Sequence, residues 1–158
     1  MAKTSDAIPQ ACMKLELADC SSGSCGAYTD VSGHSMSVSG TTQSRATAET
    51  PVFGDDTPVV TPGKRGAVTP TFAGIYTEND ADAFKKALAL FEETACDGGR
   101  ICVKWSPGGG DVGDIEYEIR CGIIQDFGYP MGEASAAEPV IWSFTVFADQ
   151  IYHDTISS

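Results

Sequence analysis

The clearest pattern in the chain is an alternation of apolar and polar residues that begins at Ile115. Apolar or thiol side chains occupy every second position as far as Ile123, and Glu116, Glu118 and Arg120 lie between them. A period of two is typical of a β-strand with one buried and one solvated face. The pattern therefore predicts a long amphipathic strand.

A second alternation follows a segment rich in Pro, Gly and Ser, which predicts a turn rather than a strand. The apolar face of this second strand consists of Val140, Trp142, Phe144, Val146 and Ala148. Ser143, Thr145 and Asp149 lie on the opposite face. Two long amphipathic strands are therefore expected in the C-terminal part of the chain.

Shorter segments with strand-like patterning are residues 13–19, 34–38, 67–77 and 100–105. The second of these is unusual because Ser35, Ser37 and Ser39 fill its polar face. Serine contributes little packing and mainly offers hydrogen bonds. We expect four further strands, one of which has a face of hydroxyl groups.

One segment, at about residues 80–96, has the period of an α-helix. Its apolar stripe is Phe84, Ala87, Leu88 and Phe91, at the spacing i, i+3, i+4 and i+7. Thr77 and Asp80 form a capping box, Glu78, Asp80 and Asp82 suit the positive end of the helix dipole, and Gly98 and Gly99 stop the helix.

Many strands and one helix predict a mainly β fold, a β-sandwich or barrel with one flanking helix. At 158 residues, the chain fits a single domain. The expected core packs the apolar face of the opening strand against Phe84, Leu88 and Phe91 of the helix, and it includes Trp142 and Phe144 of the last long strand.

Residues 40–66 do not fit this core. The segment contains three prolines, and its short apolar pieces flank a turn at Gly54, Asp55 and Asp56. A hairpin-like excursion is expected, with too little apolar mass to fold against the core. Loops longer than about 12–15 residues in compact domains are usually functional or disordered. This segment is therefore a candidate functional element.

Charge and composition exclude several classes of protein. The formal net charge of −12 argues against a surface that binds nucleic acid, because such surfaces neutralise phosphates with Lys and Arg. The chain has neither a run of about 18 apolar residues nor a secretory signal. We expect a soluble domain that is made in the cytoplasm and contacts no membrane.

The six cysteines are Cys12, Cys20, Cys25, Cys96, Cys102 and Cys121. We expect reduced thiols, because the chain is long and has a plausible core without cross-links. Cys121 is expected to be a small buried hydrophobe, and Cys102 to lie on the polar face of its strand. Cys20, Cys25 and His34 are the one hint of a metal site, but their spacing lacks the paired repeats of zinc modules. No metal is expected.

Candidate catalytic residues do not form a constellation. Gly108, Gly110 and Gly113 match a dinucleotide-binding spacing, but they lie between two predicted strands and open no helix. His34 and His153 have no nucleophile partner in a known motif. We expect neither enzymatic activity nor a cofactor.

Four stretches carry a resemblance to a known family. They are YTENDADAFKKALALFEE, RICVKWSPGG, IEYEIRCGIIQDFGYP and ASAAEPVIWSFTVFADQI. In the order of its elements, from about residue 31 to 151, the chain resembles the tail tube (major tail) proteins of long-tailed bacteriophages. Residues 1–30 contribute little to this resemblance.

The resemblance implies a virion protein that forms hexameric rings, stacked into a tube through which DNA passes without specific binding. It implies assembly in the host cytoplasm, and contact with tail initiation, terminator and tape-measure proteins. Residues 40–66 occupy the place of the family's protruding loop, which stacks one ring on the next. The loop residues expected to contribute are Arg45, Glu49, Phe53, Asp55, Asp56, Lys64 and Arg65.

The acidic composition suggests a wall to which DNA does not adhere. Two sets of residues are candidates for the lumen: Glu116, Glu118 and Arg120, or Ser35 and Ser37. A solvent-facing outer sheet is an equal alternative for each set. Reversal of Glu116 and Glu118 to lysine is expected to impair DNA passage and leave tubes intact. The competing function is a stand-alone β-sandwich binding or adhesion module that uses residues 40–66 for recognition.

Overall fold

A computed structural model describes residues 7–79, 83–96, 98–135 and 137–158. Its strands are β1 (Lys14–Ser21), β2 (Ser24–Cys25), β3 (Thr29–Asp30), β4 (Ser35–Ser39), β5 (Arg45–Thr50), β6 (Val59–Arg65), β7 (Thr71–Ile75), β8 (Arg100–Ser106), β9 (Ile115–Met131), β10 (Ile141–Phe147) and β11 (Tyr152–Thr155). The α-helix α1 spans Ala83–Phe91, and two 3-10 helices span Gln10–Cys12 and Ser32–His34. No helix in these ranges is long and apolar enough to cross a membrane.

Nine strands form one antiparallel sheet in the order β2-β1-β8-β9-β10-β7-β4, with β3 paired to β1 and β11 paired to β9. The sheet folds back on itself, because the ring of Phe72 on β7 lies 6.1 Å from that of Trp105 on β8. Its first half (β1, β8 and the start of β9) therefore faces its second half (the end of β9, β10, β7 and β4) across one core. The predicted mainly β, sandwich-like fold is confirmed.

The long strand β9 turns from one half of the sheet to the other near Cys121. Its first residues pair with β8 and β11, and its last residues pair with β10. Cys121 has a φ of 51°, and the register with β8 shifts beside it, so an extra residue bulges out here. The bulge reverses the alternation of faces. Ile119 and Ile124 are buried while Ile123 is 42% exposed, so the expectation that Ile123 shares the buried face is wrong.

The helix packs on the core through a slightly different stripe from the expected one. Its buried residues are Ala83, Phe84, Ala87 and Leu90. Leu88 and Phe91 are only partly buried at the edge of the core. The helix ends at Phe91 rather than near residue 96. The proposed capping residues Asp80 and Asp82 lie outside the described residues.

Aromatic contacts join the helix to the second half of the sheet. The ring of Phe84 lies 4.9 Å from that of Tyr76 and 5.9 Å from that of Trp142. Trp142 stacks on Phe144 at 5.5 Å, and both are almost fully buried. The helix therefore covers the open side of the sandwich at the β10 strand.

Two polar segments outside the expected core strands also form strands, and one of them is the hairpin-like excursion expected at residues 40–66. The polar C-terminal segment that contains His153 is β11, in which Tyr152 pairs with Glu118 and Asp154 with Glu116. Residues 40–66 contain the antiparallel pair of β5 and β6, a two-stranded sheet of its own. The polar composition of the C-terminal segment concealed β11, because that strand buries no apolar face.

The expectation of reduced cysteines is wrong for four of the six. Cys20 is joined to Cys121 and Cys25 to Cys102, across 101 and 77 residues of sequence. Cys121 is thus a cross-linked residue rather than a buried free thiol. These bonds tie the hairpin of β1 and β2 to β8 and β9. Cys12 and Cys96 are free and exposed.

Candidate assembly surfaces

The first half of the sheet carries its charged residues on the side away from the core. This charged face consists of Lys14, Glu16, Lys104, Glu116, Glu118 and Arg120. Cross-strand pairing aligns Glu16 with Lys104 and Lys104 with Glu118, which places these side chains on one face. The core neighbours Leu15, Trp105 and Ile119 point the other way.

Each carboxylate of the charged face is paired with a cation. Lys104 Nζ lies 3.5 Å from Glu116 Oε1 and 3.9 Å from Glu118 Oε2. Arg120 Nε donates to Glu118 Oε1 at 2.7 Å, and Lys14 Nζ lies 3.1 Å from Glu16 Oε1. Hydrogen bonds to these carboxylates raise the pKa of Lys14 and of Arg120. Glu116 and Glu118 therefore belong to a charge-balanced network.

Two tyrosines flank this network. Lys104 Nζ lies 4.2 Å from the centroid of the Tyr28 ring, and Arg120 Cζ lies 4.1 Å from that of Tyr152. Burial, followed by the nearby Glu118 charge, raises the pKa of the Tyr28 hydroxyl well above its usual range. The Lys104 and Arg120 side chains are thus held between a carboxylate and an aromatic ring, which favours a fixed geometry.

The second half of the sheet presents a face of small and hydroxyl-bearing residues. Cross-strand pairing forms two rows on it: Ser37, Ala73, Ser143 and Gly128 in one, and Ser39, Thr71, Thr145 and Asp126 in the other. The hydroxyl oxygens of Thr71 and Thr145 lie 3.0 Å apart. We name these eight residues the hydroxyl face; none of them is a lysine or an arginine.

The two sets of lumen candidates lie on different halves of the folded sheet. Glu116, Glu118 and Arg120 belong to the charged face, whereas Ser37 belongs to the hydroxyl face. Ser35 is half-buried, and its Oγ donates to the Val31 carbonyl at 2.9 Å. The outward sides of the two halves point away from each other, so the two sets are alternatives.

The strands β5 and β6 form a projecting hairpin. Every residue of both strands is exposed. The hairpin is fixed to the body at its base, where Gln43 Nε2 donates to the Gly66 carbonyl at 2.7 Å and to the Asp149 carbonyl at 2.9 Å. Arg65 Nη2 also donates to Gln150 Oε1 at 3.0 Å. The base is therefore held in place while the strands extend from the body.

The tip of the projecting hairpin is an ordered turn around an exposed aromatic ring. Phe53 is fully exposed, next to Gly54 at a φ of 80°. Asp55 Oδ1 accepts hydrogen bonds from the backbone N–H and the hydroxyl of Thr57, both at 3.0 Å. These bonds lower the pKa of Asp55. A fixed turn that presents a solvated phenyl ring is typical of a contact with another molecule.

Charge is separated along the projecting hairpin. Arg45, Lys64 and Arg65 lie at its base, where Arg45 and Arg65 are register partners. The acids lie toward the tip, with Glu49 opposite Val60 and with Asp55 and Asp56 in the turn. The hairpin thus has a basic base and an acidic end.

The strand β4 lies at one edge of the large sheet. Among the described strands it pairs only with β7, so its outer backbone groups have no strand partner. A shallow groove beside it is lined in part by Met13, Met36 and Val38. Met36 is 53% exposed. A free strand edge is a ready site for pairing with another chain.

Several of these residues escaped the sequence analysis. The sequence predicted the strand that contains Lys104 from its apolar residues alone. Lys104 pairs with both Glu116 and Glu118 because β8 lies beside β9, and this strand order could not be read from the sequence. Thr71 and Asp126 join the hydroxyl face only through register. The loop of residues 108–113 connects β8 to β9, as expected, with Asp114 Oδ2 accepting from the N–H groups of Gly110 and Asp111.

No protein-family model matches the sequence, and no curated protein matches it. Solved structures do match the fold. A chain of the PVC sheath/tube terminator, from an extracellular contractile injection system in its extended state, matches with a TM-score of 0.73 at 13% identity, over 97% of this chain and 100% of that chain. A chain of the cap that terminates the tube of the anti-feeding prophage has a TM-score of 0.71 at 17% identity, over 98% and 95%.

A chain of the PVC sheath-tube complex in the extended state also matches, with a TM-score of 0.71 at 13% identity, over 96% of this chain and 94% of that chain. At these identities the likeness establishes a shared fold. It extends over nearly the full length of both chains in each comparison.

Proposed function

We propose that the protein is a structural component of a phage tail or of a related injection machine, and that its copies form rings stacked into a tube. The observation that carries the proposal is the projecting hairpin, whose strands are exposed throughout and whose tip presents Phe53. A two-stranded hairpin is only marginally stable in water, and contact with another molecule would stabilise it. The fold shared with components of contractile injection systems supports the same conclusion.

Ring formation follows from the two edges of the large sheet. The free edge at β4 differs from the opposite edge, where only the two-residue strands β2 and β3 cover β1. Contact between two different surfaces of one chain is heterologous, and such contacts close into rings when the rotation permits. Pairing of β4 with the opposite edge of a neighbour also removes both open edges. The family resemblance gives six copies per ring.

Stacking is the role of the projecting hairpin. Phe53 inserts between copies of the next ring, and Glu49, Asp55 and Asp56 meet the basic base of a neighbouring hairpin. Arg45, Lys64 and Arg65 supply that base. Partner molecules are then further copies of the chain, together with initiation, terminator and tape-measure proteins. The location is a virion tail that is assembled in the host cytoplasm.

The lumen is lined by the hydroxyl face rather than by the charged face. Ser37, Ser39, Thr71 and Thr145 offer DNA no cation, and Asp126 adds a negative charge. A wall without Lys or Arg releases no counterions on contact with phosphates, so it gives DNA little affinity. The charged face, which carries Lys104 and the exposed Arg120, then lies toward the outside of the tube.

Electron microscopy of concentrated protein, with and without tail-initiation components, tests the proposal. Stacked rings support the proposal. If Phe53→Ala still forms single rings but no longer stacks them, the stacking role belongs to the hairpin. A monomer that persists in both conditions contradicts the proposal and favours the stand-alone binding module. Circular dichroism of Phe53→Ala is the control for its fold, which is expected to be unchanged because Phe53 is fully exposed.

A tube terminator is a second candidate, because chains from a terminator and a cap match as well as the chain from the sheath-tube complex. A terminator binds the end of a tube and stops its growth. Addition of the protein to preformed tube seeds separates the two roles. Lengthening of the tubes assigns a repeating tube subunit, whereas a single added ring with no further growth assigns a terminator.

Thr145→Lys tests the lumen assignment. Thr145 lies in the middle of the hydroxyl face, so a lysine there adds a phosphate-binding cation to the wall in every copy. Tubes are expected to form, and DNA delivery is expected to fall. Thr94→Lys, at an exposed position after the helix, is the matched control. Normal delivery by Thr145→Lys tubes excludes this lumen face. Reversal of Glu116 and Glu118 is less informative, because it sets lysines against Lys104.

A further inference from the structure

Four cysteines from four different strands meet at one place on the sheet. Cys20 and Cys25 are register partners in the β1–β2 pair, and Cys102 and Cys121 lie on the adjacent strands β8 and β9. The two disulfides are in contact with each other. Cys102 Sγ of one lies 3.7 Å from Cys121 Sγ of the other. We name these four residues the cysteine cluster.

The spacing of three of the four sulfurs, those of Cys25, Cys102 and Cys121, is compatible with a tetrahedral metal site, whereas Cys20 lies outside the group whose sulfurs are mutually within 4.8 Å. Zinc–thiolate bonds of about 2.3 Å place the sulfurs of a four-cysteine site roughly 3.8 Å apart. Cys102 Sγ and Cys121 Sγ already have this separation at 3.7 Å. The sulfurs of Cys25, Cys102 and Cys121 all lie within 4.8 Å of one another. Disulfide sulfurs are about 2 Å apart, so each bonded pair has to separate by only roughly 1.8 Å to reach the zinc spacing.

The surroundings also suit a structural metal site. Cys102 is fully buried, while Cys20, Cys25 and Cys121 are half-buried, which leaves a path for an ion to enter. The backbone N–H of Cys121 donates to Cys102 Sγ at 3.3 Å. Hydrogen bonds of this kind from the surrounding protein stabilise a thiolate ligand and fix its orientation.

We propose that the cysteine cluster, in its reduced form, holds one Zn²⁺ ion through four thiolates. A thiol or dithiol reductant gives two electrons and two protons to each disulfide, which breaks both S–S bonds and yields four thiols. Zinc binding then displaces the four protons and forms four Zn–S bonds, with no change in the oxidation state of the metal. Oxidation by a disulfide reverses the sequence and releases the ion.

The two forms of the cluster make the same connection in different compartments. Disulfides rarely persist in a reducing cytoplasm, where a zinc ion ties β1 and β2 to β8 and β9 instead. The disulfides take over that connection in an oxidising medium. The site depends only on the geometry of the four strands and is independent of the proposed role in a tube.

Metal analysis of the chain purified from a reducing cytoplasm tests the proposal. The background variant Cys12→Ser/Cys96→Ser removes the two free thiols, which lie outside the cluster. After equilibration with zinc in a phosphine reductant and removal of unbound metal, about one zinc per chain is expected. Replacement of zinc by Co²⁺ is expected to produce the visible absorption bands of tetrahedral cobalt thiolate.

Cys25→Ser in the same background is expected to lower the zinc content below about a tenth of an equivalent, because a structural site needs its full set of ligands. The background variant itself decides the proposal if Cys25→Ser does not fold. A reduced, folded background variant that retains no zinc and gives no cobalt thiolate absorption overturns it. Retention of full zinc content by folded Cys25→Ser also overturns it.

Discussion

Gly122 shows how one residue permits the bend of β9. A Cβ at this position would overlap Val146 Cγ1 and lie 2.9 Å from Ile119 Cγ2, both in the packed core. We predict that Gly122→Ala lowers the free energy of unfolding by about 1–3 kcal/mol, because neither neighbour has free space to move into. Chemical denaturation measures the change.

Gly132→Ala is the matched control for this substitution. Gly132 follows β9 on the surface, and a Cβ at this position would have Val140 Cγ2 as its nearest neighbour, 3.8 Å away. Its effect is expected to lie within about 0.5 kcal/mol of zero. Equal stability of the Gly122 and Gly132 variants would show that the core accommodates a methyl group at the bend.

Asp55 gives a pH-dependent prediction at the tip of the projecting hairpin. The backbone N–H of Thr57, followed by its hydroxyl, lowers the pKa of the Asp55 carboxyl below its ordinary value. Because the pKa of Asp55 is lower in the folded state, the ionised carboxyl stabilises the turn at any pH above the unfolded-state pKa. This stabilisation is lost as the pH falls through the folded-state pKa. Thr57→Val is expected to raise the pKa of Asp55 only part of the way, because the backbone donor remains. An NMR titration of the carboxyl carbon measures it, and an unchanged pKa would contradict the role of the hydroxyl.

The bulge at Cys121 shows where the alternation of apolar residues no longer predicts which side chains of β9 are buried. The alternation in β9 predicted the buried position of Ile119 but placed Ile123 on the same face. The reversal arises from the bulge at Cys121, whose positive φ is fixed by pairing with β8 and by a disulfide to β1. Both causes are long-range contacts, which no local period of apolar residues contains.

At the scale of elements, the projecting hairpin is separable from the body. The Gly66 N–H donates to the Ser44 carbonyl at 2.8 Å, so the two ends of the hairpin are already adjacent. We predict that replacement of residues 45–65 by a short Gly/Ser turn leaves the thermal midpoint of the body nearly unchanged, because the exposed strands bury little apolar area.

The same deletion is expected to abolish stacking of rings in electron micrographs. Phe53→Ala, which retains the hairpin backbone, separates loss of the tip contact from loss of the whole element. A large fall in the thermal midpoint would show that the hairpin supports the body, and normal tubes from the deletion variant would remove it from the stacking contact.

Elements with a buried apolar face were the most predictable from the sequence. The strands β9 and β10 and the helix α1 were expected from the periods of their apolar residues. The strand β11 was missed because its residues, YHDT, gain their order from pairing with β9 rather than from burial. The disulfide partners were also out of reach, since six cysteines allow fifteen full pairings and the bonded pairs are 101 and 77 residues apart.

At the scale of the whole molecule, net charge opposes assembly while the projecting hairpin favours it. Each chain carries a formal charge of −12, so neighbouring copies repel one another over long distances. The proposed hairpin contact would join acids to bases at short range. Salt separates the two effects, because the screening length falls from about 30 Å at 0.01 M to about 8 Å at 0.15 M ionic strength.

We therefore predict that moderate salt promotes assembly. At about 0.15 M the long-range repulsion is largely screened. The distance between paired charges at the hairpin is shorter than the screening length, so these pairs retain most of their attraction. Light scattering is expected to show a lower critical concentration for tube formation at 0.15 M than at 0.01 M. Asp55→Asn/Asp56→Asn reduces the repulsion but also removes two acids from the tip, so it is expected to assemble less well at both salt concentrations. Better assembly of this variant would show that repulsion between whole chains, rather than the tip contact, controls stacking.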